Sequence, residues 1–202
     1  MTICKNNFVS FILCTLLWLM STGKAISQSA LKTNFLHDAT ATPTLAFEVG
    51  MGRKNTAQIY YGLNGWKTSD TKQWKHWIVR PEFRWWFCSK FNGHFLDVHA
   101  HGGQFNAANI DMLPTGVYFG GDDLRKELRT NKYEGSFAGL GIGYGYQWIL
   151  SRHWNFETEI GVGYTHVWYD KYRCGECGAK ISDGETNHVG MTKLGLSLVY
   201  VF

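Results

Sequence analysis

The sequence predicts an all-β fold: an eight-stranded antiparallel transmembrane β-barrel with short periplasmic turns and longer extracellular loops. Three observations carry this. Residues alternate with period two in eight segments, the alternation sets apolar side chains against small or charged ones, and short connections alternate with long ones. The chain holds 9 Trp, 10 Tyr and 13 Phe with 23 Gly and only 3 Pro, a composition that favours strands over helices.

The N-terminus comes first. Lys5 is a positive charge ahead of an apolar run over residues 8–20, too short to span a bilayer as a helix. Ala25, Ile26 and Ser27 then resemble the site a signal peptidase reads. Residues 1–27 are expected to be a signal peptide and residues 28–202 one barrel domain, with Gln28 as the mature N-terminus. Cys14 lacks the small residues that precede a lipidated cysteine, so no lipoprotein is expected. No later apolar run reaches transmembrane-helix length. The net charge of +4 is small and dispersed, which argues against nucleic acid as a partner.

The eight strands are expected at residues 31–37, 44–51, 56–66, 76–87, 94–105, 137–149, 155–169 and 189–202. In the sixth, Leu140, Ile142, Tyr144, Tyr146 and Trp148 oppose Gly139, Gly141, Gly143, Gly145 and Gln147. In the seventh, Phe156, Ile160, Val162, Tyr164, His166 and Trp168 oppose Glu157, Glu159 and Thr165. A soluble sandwich alternates in the same way, so alternation alone does not decide. The charges do. Lys32, Glu48, Arg80, Glu82, Arg84, Asp97, Glu157, Glu159 and Lys193 all fall on the face opposite the apolar one. In a membrane barrel that face lines the lumen. The run of glycines fits a narrow interior, where small residues must stand beside large polar ones.

Among the connections, residues 52–55, 88–93 and 150–154 are short, and 38–43 is taken as tight. Residues 68–75, 107–132 and 172–188 are long. Trp66, Trp77, Trp168 and Tyr169 fall toward the loop end, and Trp85, Phe87, Trp148, Phe156 and Phe202 toward the turn end. Both sets are expected as aromatic girdles at the lipid headgroups.

The run Leu194, Leu196, Leu198, Tyr200, Phe202 is similar to the C-terminal signal read by the barrel-assembly machinery. More specifically, the chain resembles a family of Bacteroidetes outer-membrane proteins filed as a domain of unknown function. The resembling stretches include Trp74-Lys75-His76-Trp77, Arg84-Trp85-Trp86-Phe87-Cys88, Phe91-Asn92-Gly93-His94-Phe95 and Cys174-Gly175-Glu176-Cys177-Gly178. The resemblance implies an outer-membrane location in a Gram-negative bacterium, with outer-membrane lipid as surroundings. Relatives often lie beside genes for fimbrial or surface-adhesin components, which implies a surface or fimbrial protein partner. No activity carries over.

Local chemistry leaves alternatives open. Cys174 and Cys177, each followed by glycine, read as a disulfide, as free thiols or as half of a zinc site. His99 and His101, two apart beside Asp97, read as metal ligands or as part of a hydrogen-bonded plug. The plug is preferred, because paired charges fill a narrow barrel at least cost. No catalytic, cofactor or metal residue is assigned, and the chain is read as a structural or surface-assembly barrel, not an enzyme. Two alternatives stand: an outer-membrane lipid-modifying enzyme and a small-solute channel. The enzyme needs a nucleophile and base on the lipid-facing wall, where His166 is the histidine found near the loop end.

Overall fold

A computed structural model describes residues 28–66, 73–108, 131–173 and 180–202. The expected signal peptide at residues 1–27, the pair Cys174 and Cys177, and most of the expected loop at 107–132 lie outside the described residues.

Eight strands are present: β1 (Ser29–Asn34), β2 (Thr44–Gly50), β3 (Asn55–Asn64), β4 (Gln73–Trp86), β5 (Gly93–Ala108), β6 (Asn131–Ile149), β7 (Trp154–Arg173) and β8 (Lys180–Val201). Each pairs antiparallel with its neighbours in sequence, and β1 pairs with β8, so the sheet closes into a ring. The register can be followed once round from Ala30 through Glu48, Gln58, Glu82, His99, Gly141 and Gly163 to Gly190. Ala30 itself pairs with Val201. Setting aside one extra residue at a bulge in β8, the stagger is about ten residues, which tilts eight strands by roughly 40°.

Period-two geometry sorts the side chains. Leu140 and Ile142 on β6 are 67% and 63% exposed, whereas Glu48, Arg84 and Lys193 are completely buried. This inverts the usual arrangement, in which charged groups are almost never fully buried and large apolar ones are. The outward apolar face of β6 runs from Ala138 to Trp148. Ten residues at that tilt rise about 25 Å.

The glycines on β6 admit that interior. A Cβ on Gly143 would sit 2.2 Å from the Asp97 carboxylate, and one on Gly139 2.3 Å from the Tyr164 carbonyl oxygen. The inward large residues of β5 therefore occupy the space that β6 leaves bare.

Four expectations need correction. The first strand stops at Asn34 instead of running on to residue 37. The Asn34 side chain accepts a hydrogen bond from the Leu36 N–H and starts a single helical turn, α1 (Phe35–Asp38). Asp38 holds the return, taking the Thr44 N–H at 3.0 Å and the Thr33 hydroxyl at 2.5 Å.

Second, the last long loop, at 172–188, is mostly strand. β7 continues to Arg173 and β8 begins at Lys180, with Trp168 opposite Glu185 and Asp170 opposite Asp183. Third, β4, β5 and β6 likewise reach further toward the loop end than expected. Fourth, Tyr169 turns inward onto a cluster with Ala107, Tyr133 and Phe105, leaving Trp168 as the outward neighbour.

Candidate functional site

The interior is filled in layers. At the turn end, Ala30, Trp86, Phe91, Phe95, Val199 and Val201 form an apolar floor. The Trp86 ring packs tilted against Phe95, centroids 4.7 Å apart, and donates its indole N–H to the Thr56 hydroxyl at 2.9 Å. A buried indole with its one donor satisfied is a stable seal.

Above the floor lie the nine charged residues singled out from the sequence, brought together from six strands. Arg84 is at the centre. Its Nη1 donates to Glu157 at 2.9 Å and Glu48 at 3.3 Å, and its Nη2 to Glu82 at 2.9 Å and Glu159 at 2.8 Å. The Arg84 guanidinium also sits 4.6 Å over the Phe95 ring, joining the charged layer to the floor. Lys193 donates to Glu82 at 2.6 Å and lies 2.8 Å from Glu159 and 3.3 Å from Asp97. Lys32 contacts Glu157 at 2.7 Å and also pairs with Glu48. Arg80 donates to Glu82 at 2.8 Å and stacks over Tyr60. Each cation meets at least two carboxylates, the arrangement a buried charge needs to offset lost hydration.

Next comes a layer of imidazoles and hydroxyls. His99 Nδ1 is 2.7 Å from Asp97, and its Nε2 is 2.9 Å from the Thr192 hydroxyl. His101 Nε2 is 2.8 Å from the Thr165 hydroxyl. Thr192 and Lys193 are successive residues, yet both are buried, because the β8 bulge opposite Gly161 and Val162 turns two neighbours inward. Residue types carry no sign of Thr192, since a bulge here has no residue-type signature. They carry none of His37 on α1 either, which meets the Tyr60 hydroxyl. Burial, with Arg80 and His76 nearby, pushes the His37 imidazole down to about 4, so it is neutral at neutral pH.

Asp97, His99 and Thr192 have the order of an orienting acid, a base and a hydroxyl. They differ from a working triad in access: none of the three lines either of the two cavities described next. Both ring nitrogens of His99 are already engaged, as a plug requires. Among the described residues, no three His, Cys, Asp or Glu side chains group as a metal site. On the outer face, His166 Nδ1 is 2.5 Å from the Asn187 side-chain oxygen and its Nε2 is 3.4 Å from Glu185.

A cavity of about 860 Å³ opens at the loop end, lined by residues including Asn64, His76, Phe105, Glu134 and Tyr169. Another, of about 460 Å³, opens at the turn end beside Arg53, Lys90, Phe91, Arg152 and Asn155. They share no lining residue, and the packed layers lie between them. Cys88 is an exposed free thiol on the turn between β4 and β5.

A family model described as a protein of unknown function, DUF3575, matches residues 9–202. The chain belongs to the DUF3575 family. The match spans all eight strands, so the inward charges and outward apolar face fall within the family's own domain. No curated protein matches the chain significantly.

Proposed function

We propose that this DUF3575 protein is a small outer-membrane β-barrel of a Gram-negative bacterium whose packed lumen makes it a structural or surface-assembly element, not an enzyme or an open channel. One observation carries the reading: the charged residues are inside and the large apolar residues outside. In water, an exposed belt of Leu, Ile, Val and aromatic side chains about 25 Å tall would drive aggregation. In a bilayer it matches the outward apolar band of an outer-membrane barrel.

The ends of the belt agree. Tyr146, Trp148 and Phe156 form a chain of ring contacts near the turn end, and Trp154, Tyr200 and Phe202 form another. Trp77 and Trp168 stand outward toward the loop end. Aromatic rings gather at both headgroup layers in such barrels. No helix among the described residues is long and apolar enough to cross a membrane, so the strands are the crossing elements in this reading. The short turns then face the periplasm and the longer strand ends face outward.

The working surface in this reading is the outer end, since the interior is packed. The resemblance to Bacteroidetes proteins found beside fimbrial genes supports a surface or fimbrial partner, with the barrel-assembly machinery needed for insertion. Of the alternatives, a lipid-modifying enzyme would use the Asp97–His99–Thr192 set or His166, and a channel would need the ion layer to open.

Cell fractionation tests the proposal. The mature protein is expected in the outer membrane and to migrate faster on gels when unheated than when boiled, as folded barrels do. Recovery in the soluble periplasm, with one mobility before and after heating, would contradict it.

A further inference from the structure

The ring is closed along only a short seam. β1 ends at Asn34, opposite Ser197. The Asn34 side chain then serves the next groups of β8, donating to the Leu194 carbonyl and accepting from the Leu196 N–H, each at 3.3 Å. Beyond that, residues 180–191 of β8 pair with β7 alone among the described residues. Along these twelve residues, about 40 Å of strand, no second described strand pairs with the β8 edge.

Such an edge is a template for another strand, and proteins normally shield it with charge, proline or bulges. The outer part here is shielded: it carries Lys180, Asp183 and Glu185, with a register shift at Lys171 and Tyr172. The inner part, residues 186–191, has neither a Lys, Arg, Asp or Glu nor a proline, and Val189 within it is 80% exposed. The outward face beside the edge is acidic. Glu134, Asp170, Asp183 and Glu185 stand against Lys132 and Lys180, and the Asp183 and Glu185 side chains are 81% and 70% exposed.

From this we infer that the free edge of β8 takes up an extended segment of a separate protein as an added antiparallel strand. Its outer end carries basic residues opposite Asp183 and Glu185, and the part opposite Val189 is apolar. The inference rests on the barrel reading and names the kind of partner the outer end binds. A second copy of this chain does not fit. Copies in one membrane share strand direction, so two β8 edges would run parallel, and their equal tilts would make them cross. An antiparallel strand must run outward, which places its C-terminal end beside the carboxylates.

The test uses the mature protein folded into phosphatidylcholine vesicles and a labelled ten-residue peptide. The peptide alternates Val and Thr and ends in two lysines. Two sister peptides end in glutamates or carry a central proline. The lysine peptide is expected to bind saturably, at least tenfold more tightly than the glutamate one, and the proline peptide not at all.

Asn187→Pro should abolish binding. Leu196, opposite Thr158, turns its N–H away from β7, and the register keeps that sense at Asn187 opposite His166. The proline therefore blocks the free edge and spares the β7 ladder. Asp183→Asn with Glu185→Gln should weaken the lysine peptide alone, which keeps the question answerable if the proline variant does not fold. The inference is overturned by equal binding of lysine and glutamate peptides, by binding indifferent to Asn187→Pro in folded protein, or by no binding to the wild type. Loss of the heat-dependent mobility shift in the wild type would count against the barrel reading itself. A shifted, inserted protein that ignores the peptide counts against the edge alone.

Discussion

Replacing Arg84 with methionine should lower the stability of the folded protein by about 3–5 kcal/mol, because it strands carboxylates that are themselves buried. Arg84 meets Glu48, Glu82, Glu157 and Glu159 and is completely buried. Losing it leaves Glu157 with Lys32, and leaves Glu82 and Glu159 sharing Arg80 and Lys193. Four buried acids beside each other then repel across a low-dielectric interior. The matching control is Lys180→Met, whose ammonium pairs with Asp170 at the exposed strand end. Urea midpoints measured in vesicles should fall sharply for the first variant and stay near wild type for the second. Equal midpoints would mean that the interior charges are hydrated, and the packed-lumen account would fail.

A larger effect is expected from filling the glycine seam. Gly141 and Gly163 face each other across β6 and β7. A Cβ on Gly163 would lie 2.2 Å from the Leu140 carbonyl oxygen and 2.6 Å from the Gly141 Cα. Both are backbone atoms, so no side chain can swing aside. Gly163→Val should therefore leave no heat-modifiable folded band at all, an overpacking cost well beyond the usual range of about 1–3 kcal/mol, because the clash is with backbone. Ala138→Val, outward on the same sheet, should assemble normally, because Ala138 is exposed on the outer face. A folded Gly163→Val would show that β6 and β7 approach each other less closely than the register requires.

Much of this arrangement could be read from the residues. Arg80, Glu82 and Arg84 interleave with Val79, Pro81, Phe83 and Trp85, so period-two geometry alone sends them to the opposite face. The same parity placed Asp97 with His99, and Glu157 with Glu159. Their partners could not be read, because the contact of Lys32 with Glu157 depends on how the ring closes. The signal also has a boundary. Alternation is visible only where the outward face is apolar. Beyond Tyr169, and ahead of Val189, most residues on both faces are polar, so the outer hairpin of β7 and β8 reads as a loop.

Other misses have local causes. Asn34 ends β1 through side-chain hydrogen bonds that compete with the ladder, in a segment whose apolar pattern runs on through Leu36. The bulge that turns Thr192 inward beside Lys193 comes from pairing with β7, and no residue in β8 announces it. Tyr169 cannot share the outward girdle with Trp168, because adjacent residues on a strand without a bulge point to opposite faces.

The direction of the two faces is the central claim, and paramagnetic accessibility tests it most directly. Nitroxide labels placed at Val98→Cys and Ile142→Cys, in mature protein without its native cysteines, should report an apolar surrounding. Relaxation by molecular oxygen should be strong and relaxation by a water-soluble nickel chelate weak. A label at Arg152→Cys, on the turn between β6 and β7, should show the reverse. If the nickel chelate relaxes the labels at 98 and 142 as readily as the one at 152, the apolar face meets water and the protein is not a membrane barrel.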